Sequence, residues 1–433
     1  MTRKSVLLLN DDSHFVQSCA DAGVDVTVVC SLGQKDFGAL SPIPVRRVFV
    51  ETTESVESVM LGLYRSGIDL QSFDAVYSND ETAVVTAAAV GSLLGTASLS
   101  VSSAALFRDK SLAKAALRKA GVETADFVVI DDLCELPDDF VMPFDSGVLK
   151  PITGGATYYT TRVRSDADLQ AEAERARAER RFRTFVLEEF VPGEEWHANG
   201  ILFDGKLLFM SVGGYQKTCL QTISGHEWLR TYVCDPVENA DVYDRVRPFA
   251  EQVMSVLGLR TGIFHLELFH DQTTGRITFG ECAARRGGGL VEEEIHHKFG
   301  VSLTKAALLC ALGEQPEVSV QVQPGAVGSA YLPYEPGVLV SHPSDDELTK
   351  LSNVQLAVIE WPIGSSMDPV VSTIMKIGQV MLVAEDREEL FRRADEVSSW
   401  FKERTVVIPP RATGRELREW HAMVRASHTR PSS

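Results

Sequence analysis

Positive charge is scarce in this sequence. Lys and Arg number 42 against 60 Asp and Glu, a formal net charge of −18 over 433 residues. So acidic a chain repels a phosphate backbone, which argues against a nucleic-acid partner. Any anionic ligand must then be held by a local basic site working against the overall field. Long apolar runs are also missing. None approaches the ~18 residues that span a bilayer, and the opening MTRKSVLLLNDD has too short an apolar core for a signal peptide. No membrane association is expected. The seven cysteines, Cys19, Cys30, Cys134, Cys219, Cys234, Cys282 and Cys310, stand singly and form no CxxC pair. Unpaired thiols fit a reducing, cytoplasmic setting. The first strand-to-helix turn, residues 10–14, has no GxGxxG, which speaks against a nicotinamide oxidoreductase. There is no internal repeat and no Ser-His-Asp or Cys-His nucleophile motif.

What is present is a globular composition, 44% hydrophobic and 24% charged, at a length suited to roughly two to four domains. Short apolar runs at residues 5–9, 24–30, 45–50 and 75–77 alternate with helical spacing at 54–65 and 81–94. That order predicts a doubly wound parallel sheet, which binds ligands beyond the carboxyl ends of its strands. Asn10, Asp11 and Asp12, and Ser78, Asn79, Asp80 and Glu81, fall at such ends, although helix capping explains acidic turns as well. From Phe107 the character changes. Asp109 and Lys110 open an amphipathic helix over 111–120, and Lys150-Pro151 ends a strand before Thr153-Gly154-Gly155-Ala156-Thr157. A lysine at a strand end beside a glycine-rich turn suits phosphate binding. Residues 166–181 form a charged, solvated helix, 184–191 a strand, and Asp204-Gly205 a hairpin turn between strands at 195–203 and 206–210. Residues 200–207 mimic a Walker A spacing, but leucine replaces its Ser/Thr and the interior is strand-like, so no P-loop is read there. Residues 428–433 are expected to fray.

The chemistry concentrates in residues 262–289, GIFHLELFHDQTTGRITFGECAARRGGG. Two alternating runs flank a turn at 271–275, a hairpin pattern. Each run carries one glutamate, Glu267 and Glu281. A carboxylate in a half-buried strand is costly unless paired or metal-bound, and two on adjacent strands suit Mg²⁺ beside phosphates. Two edge glutamates at the surface are the plainer alternative. Adjacent histidines on a helix point in different directions, so a zinc site at His296 and His297 is not expected.

Taken in order, these pieces resemble an ATP-grasp carboxylate–amine ligase, similar in length and C-terminal lobe to the L-amino-acid (dipeptide) ligases and more distantly to biotin carboxylase. The resemblance implies an α/β protein with the ATP-grasp fold. It would comprise an N-terminal doubly wound pre-ATP-grasp lobe (1–105), an ATP-grasp domain (106–325, with a lid at about 123–190) and a small C-terminal α+β lobe (326–433). It implies ATP and Mg²⁺ (or Mn²⁺) as cofactors. Lys110 and Lys150 would contact phosphates, and Gly154, Gly155, Ala156 and Thr157 would close over them. Glu188 would bond the adenine amino group through its side chain, with Glu189 and Val191 contributing backbone. Glu195 would hold the ribose, Glu267 and Glu281 the metal, and Arg285 the γ-phosphate and an acyl phosphate. Carboxylate and amine substrates, by resemblance amino acids, would meet Arg285, Gly287 and Gly288. Glu293, His296 and Lys298, and Lys217, His226 and Arg230 in the unusual segment 213–230, are further substrate candidates. A homodimer is weakly implied.

One position departs from the family pattern. Where E-x-N-x-R is usual, the chain reads Glu281-Cys282-Ala283-Ala284-Arg285, and a methyl group cannot ligate Mg²⁺. A water or substrate oxygen filling the gap is favoured here over another residue or an impaired enzyme. The alternatives to an ADP-forming ligase are a nucleotide-binding module with lost catalysis, or a carboxylase-type or carrier-protein-directed ligase.

Overall fold

The computed structural model describes residues 3–36, 40–179, 183–367, 372–373 and 375–409. The expectations for Arg180, Arg181 and residues 428–433 lie outside these.

Near the N-terminus, Ser5–Leu9, Asp25–Ser31, Arg46–Val50 and Ala75–Tyr77 form a parallel sheet with Ser5–Leu9 second from one edge. Val6, Leu7, Leu8 and Leu9 are all buried, as strands covered on both faces must be. The acidic turns do two things. Asp12 caps the helix Ser13–Asp21 and Asp80 caps the turn at Glu81–Ala83, as capping chemistry predicts. Asn79, Glu81 and the second oxygen of Asp12 instead reach arginines of the distant hairpin.

The centre is a five-stranded antiparallel sheet in the order Thr231–Val233, Lys206–Tyr215, Glu194–Phe203, Gly262–His270, Ile277–Ala283. Asp204 and Gly205, both with positive φ (50° and 80°), make the predicted tight turn. The strand after it runs to Tyr215, five residues beyond the expected end, and the segment that follows contains the helix Cys219–Ser224. Strand alternation sorts this sheet into two faces. Trp196, Ala198, Leu202, Phe264, Leu266 and Leu268 pack on Val246, Ala250, Val253 and Leu257 of the helix Ala240–Leu257. The opposite face carries Glu195, His197 and Asn199, with His265 and Glu267 beside them.

A smaller antiparallel sheet, Phe127–Ile130, Phe185–Glu189, Gly147–Pro151, Thr161–Val163, has its own core around Leu149, Leu169 and Leu187. At the C-terminus, Ala326–Tyr331, Gly378–Ala384 and Val354–Ile359 form one sheet. Ser366–Met367, Gly337–Ser341 and Val406–Ile408 form another, and the helix Arg387–Arg404 packs on the first through Leu390 and Ala394. Among the described residues no helix is long and apolar enough to cross a membrane.

Candidate active site

The hairpin Gly262–His270/Ile277–Ala283 pairs Glu267 directly with Glu281, and one register shift makes that possible. Phe279 faces Leu268 and the apolar core. Residues two apart in a regular strand share a face, so Glu281 would follow Phe279 inward. Gly280 is the extra residue of a bulge that turns Glu281 over to the polar face. A Cβ at Gly280 would stand 2.9 Å from the Glu267 carbonyl oxygen, so glycine is needed there.

Burial pushes the Glu267 carboxyl upward, but the neighbouring His265, 3.4 Å away, and His197 and Lys150 outweigh it and hold Glu267 ionised, well below the usual range. Glu281 is the softer acid. Burial raises it against the pull of the Lys110 ammonium, 2.9 Å away, and Glu81 and Glu267 raise it further. Among the described residues no three His, Cys, Asp or Glu side chains gather closely enough to hold a cation by themselves. The two glutamates would share a cation with phosphate oxygens and water.

The helix Lys110–Lys119 enters beside this pair, capped by Asp109. Lys110 donates to the Gly154 carbonyl as well as to Glu281. One turn on, Lys114 lies on the same face, with 1% of its surface exposed. Sequence reasoning missed Lys114. The available signal was a lysine at i+4 on the apolar stripe that also carries Ala113 and Leu117. Lys114 and Lys150 grip the buried Glu188 at 3.3 and 2.9 Å. Burial drops Lys114 to about 8 despite Glu188, whereas Lys150 ends above its ordinary value because Glu188 and Glu281 outweigh its burial. Both lysines bind Oε2 of Glu188. Oε1 is buried without a partner, an acceptor suited to a ligand N–H. Glu195 is less open than expected. Its carboxylate accepts from the Cys219 amide at 2.7 Å, and burial followed by Glu267 raises it to about 8.

The glycine-rich loop is held in an unusual backbone state. Ala156, Thr157 and Tyr159 have φ of 52°, 56° and 55°, costly for alanine and more so for a β-branched threonine. The C-terminal lobe secures it: Ser372 Oγ donates to the Ala156 carbonyl at 2.7 Å, and the Thr373 amide donates to Thr157 Oγ1 at 3.1 Å. A Cβ on Gly155 would meet nothing within 4 Å, so the loop borders open space on that side.

Arg285 donates to Glu81 at 2.7 Å and Arg286 to Asp12 at 2.7 Å, joining the hairpin to the parallel sheet's carboxyl ends. Gly288 faces open space, just before the helix Val291–Phe299, whose N-terminus has no side-chain cap. Free amides there suit an anion.

The remaining candidates scatter. Lys298 is a correction: it is wholly buried, and its three N–H donors go to Asp235 (2.7 Å), the Gln323 carbonyl (2.6 Å) and the Gly325 carbonyl (2.8 Å). None is left for a substrate. Lys217 pairs with Glu227 at 2.6 Å and Arg230 with Asp395 at 2.6 Å. Glu293 lies 3.4 Å from His14, and His296 and His226 are exposed. Glu189 ends the strand Phe185–Glu189, its amide donating to the Asp126 carbonyl, and Val191 lies two residues beyond.

Residues 330–402 match the family model for L-amino acid ligase C-terminal domain 2. An L-arginine-specific L-amino acid ligase of Bacillus subtilis is 23% identical over 342 residues, covering 77% of this chain and 80% of that protein. The chain is similar to the L-amino acid ligases over most of its length. Solved ATP-grasp structures share its fold. The L-amino acid ligase of Bacillus licheniformis superposes with a TM-score of 0.75 at 19% identity, covering 95% of this chain and 100% of that one. An ATP complex of carboxyaminoimidazole ribonucleotide synthase from Aspergillus clavatus gives 0.68 at 14%, covering 92% and 99%. A biotin carboxylase domain from Hydrogenobacter thermophilus, bound to MgADP, gives 0.66 at 14%, covering 98% and 99%. The shared fold accounts for the gathering of Lys110, Lys114, Lys150, Glu188, Glu267, Glu281 and Arg285 from one helix, four strands and the turn after the last of them. A binding module that has lost catalysis is not favoured.

Proposed function

We propose that this ATP-dependent ligase phosphorylates the carboxylate of an amino acid, releases ADP, and passes the acyl group to the amine of a second amino acid. Support comes from the retained charge set around the cleft, above all the bulge that brings Glu281 opposite Glu267. Attack of a carboxylate on a γ-phosphate gathers several negative charges, and fixed cations do most of the work of neutralising them.

Each residue has a task in this reading. Glu188 accepts from the adenine amino group through its free Oε1, while Lys114 and Lys150 keep it ionised and Lys150 also reaches the phosphates. Glu195 is assigned to the ribose. Glu267 and Glu281 would hold Mg²⁺ or Mn²⁺, which would supply charge neutralisation, and Lys110, paired with Glu281 at 2.9 Å, is assigned to the phosphates. Gly154 to Thr157 cover the triphosphate and exclude water from an acyl phosphate. Arg285, already held by Glu81, aims at the transferring phosphoryl group. The amides around Gly287 and Gly288 receive the acyl carboxylate. Amino-acid specificity of the Bacillus subtilis relative motivates amino acids as substrates.

A screen of amino-acid pairs with Mg²⁺-ATP, reading phosphate and ADP release and identifying products by mass spectrometry, tests the proposal. ADP and a dipeptide are expected together. AMP formation, or no stimulation by any amino acid, would overturn it.

A further inference from the structure

We propose that Gln379 reads the α-amino group of the acyl-donating amino acid, a step that rests on the ligase reading above. One face of the C-terminal sheet Ala326–Tyr331, Gly378–Ala384, Val354–Ile359 packs on the helix that follows the glycine run. Val327 and Met381 pack with Leu290 there, and Ser329 bonds Thr231, which donates to Glu294 of that helix. Strand alternation puts Tyr331 on the same face as Val327 and Ser329, and Gln379 on the same face as Met381. Tyr331 and Gln379 are direct cross-strand partners. The mostly apolar face thus ends in two polar side chains, and it ends at Gly289. A Cβ on Gly289 would stand 3.1 Å from the Tyr331 hydroxyl and 3.5 Å from Gln379 Oε1. With φ at 65°, glycine suits that position, and its lack of a side chain lets both groups approach the chain beside Gly287 and Gly288.

The orientation of the Gln379 amide follows from its partner. Glu360 Oε1 accepts from Gln379 Nε2 at 3.1 Å, and a carboxylate only accepts, so the amide nitrogen is the end that faces it. Lys376 pairs with the same carboxylate oxygen at 3.1 Å and lies 4.4 Å from the centre of the Tyr331 ring. Gln379 Oε1 is left at the other end, buried and without a partner, in a side chain that is 7% exposed. Buried acceptors are nearly always paired, so this one calls for a donor from a ligand. Its surroundings say which donor. The amides at Gly287 and Gly288 are assigned to the acyl carboxylate, and only the α-carbon separates that carboxylate from the amino group. An α-ammonium therefore falls beside the glycine run, where Gln379 Oε1 stands. Glu360, bonded to the far end of the amide, polarises it and favours a cationic donor at Oε1.

The test follows hydroxamate formation by the full chain with Mg²⁺-ATP and hydroxylamine, which takes the place of the amine substrate and isolates acyl activation. The common L-amino acids are tried as acyl donors. The best of them is then compared with its deamino counterpart, which carries hydrogen in place of the α-amino group. The native enzyme should prefer the amino acid in kcat/KM. In Q379M, whose side chain is apolar and of similar length, that preference should shrink about 10–100-fold, the range for one hydrogen bond to a charged group. The ratio is the readout because misfolding lowers both activities together, and binding of a fluorescent ATP analogue checks that Q379M folds. An unchanged ratio in folded Q379M overturns the role of Gln379 and leaves the ligase reading intact. Hydroxamate from no amino acid overturns both.

Discussion

Replacing Glu188 by Gln removes the one carboxylate between two buried ammonium groups. Lys114 and Lys150 lie 3.3 and 2.9 Å from it. At an effective dielectric near 20, each contact carries roughly 5 kcal/mol of Coulomb attraction. The loss is smaller than the sum, because a stranded lysine sheds its proton. Lys114 sits at about 8 in the native protein. At pH 7 it needs to fall by only about one further unit before it neutralises, which caps its share at roughly 1–2 kcal/mol. Lys150 has no such head start and carries most of the rest. The expected net loss is about 3–5 kcal/mol, the range for breaking a buried ion pair on one side. Urea titrations followed by tryptophan fluorescence measure it. The triple variant K114M/K150M/E188L should recover most of the stability, since apolar side chains of similar volume replace buried pairs without large cost. E188Q unfolding within about 0.5 kcal/mol of the native chain would refute the buried triad.

Glu267→Ala and Glu281→Ala should each abolish turnover while circular dichroism stays native, and full activity in either would remove the metal assignment. Lys114 binds its proton more weakly folded than unfolded. Between about pH 8 and its ordinary value of 10.5 the unfolded chain thus holds more protons, and native stability should rise with pH relative to K114M. A flat difference across that window in urea midpoints would contradict the burial argument. Arg285→Ala should lower kcat by roughly 10²–10³ with little change in ATP affinity, as removal of a charge-stabilising donor does. Equal loss in both would make Arg285 a binding residue only. At Gly288 an added methyl meets nothing. G288A should therefore keep its unfolding midpoint but raise KM for the acyl substrate, and an unchanged KM would take this amide out of the substrate site.

Strand and helix order was legible in the sequence wherever apolar periodicity ran long: the parallel sheet, the hairpin at Glu267 and Glu281, and the helix after Lys110. Charged residues whose partners are distant in sequence were not. Lys114 reads as one more helix lysine until Glu188, 74 residues on, closes over it. Lys298 reads as a surface lysine because Asp235 and two carbonyls that bury it come from elsewhere in the chain. The bulge at Gly280 is a register property of two strands, and no local pattern distinguishes that glycine from a weak point in a strand.

The central claim is that the acyl carboxylate attacks the γ-phosphate. Incubating the enzyme with Mg²⁺-ATP, a second amino acid and an acyl substrate labelled with ¹⁸O in its carboxylate tests this directly. Attack through the carboxylate predicts one ¹⁸O in each phosphate released with product. Unlabelled phosphate accompanying dipeptide would contradict the acyl-phosphate route through Glu267, Glu281 and Arg285.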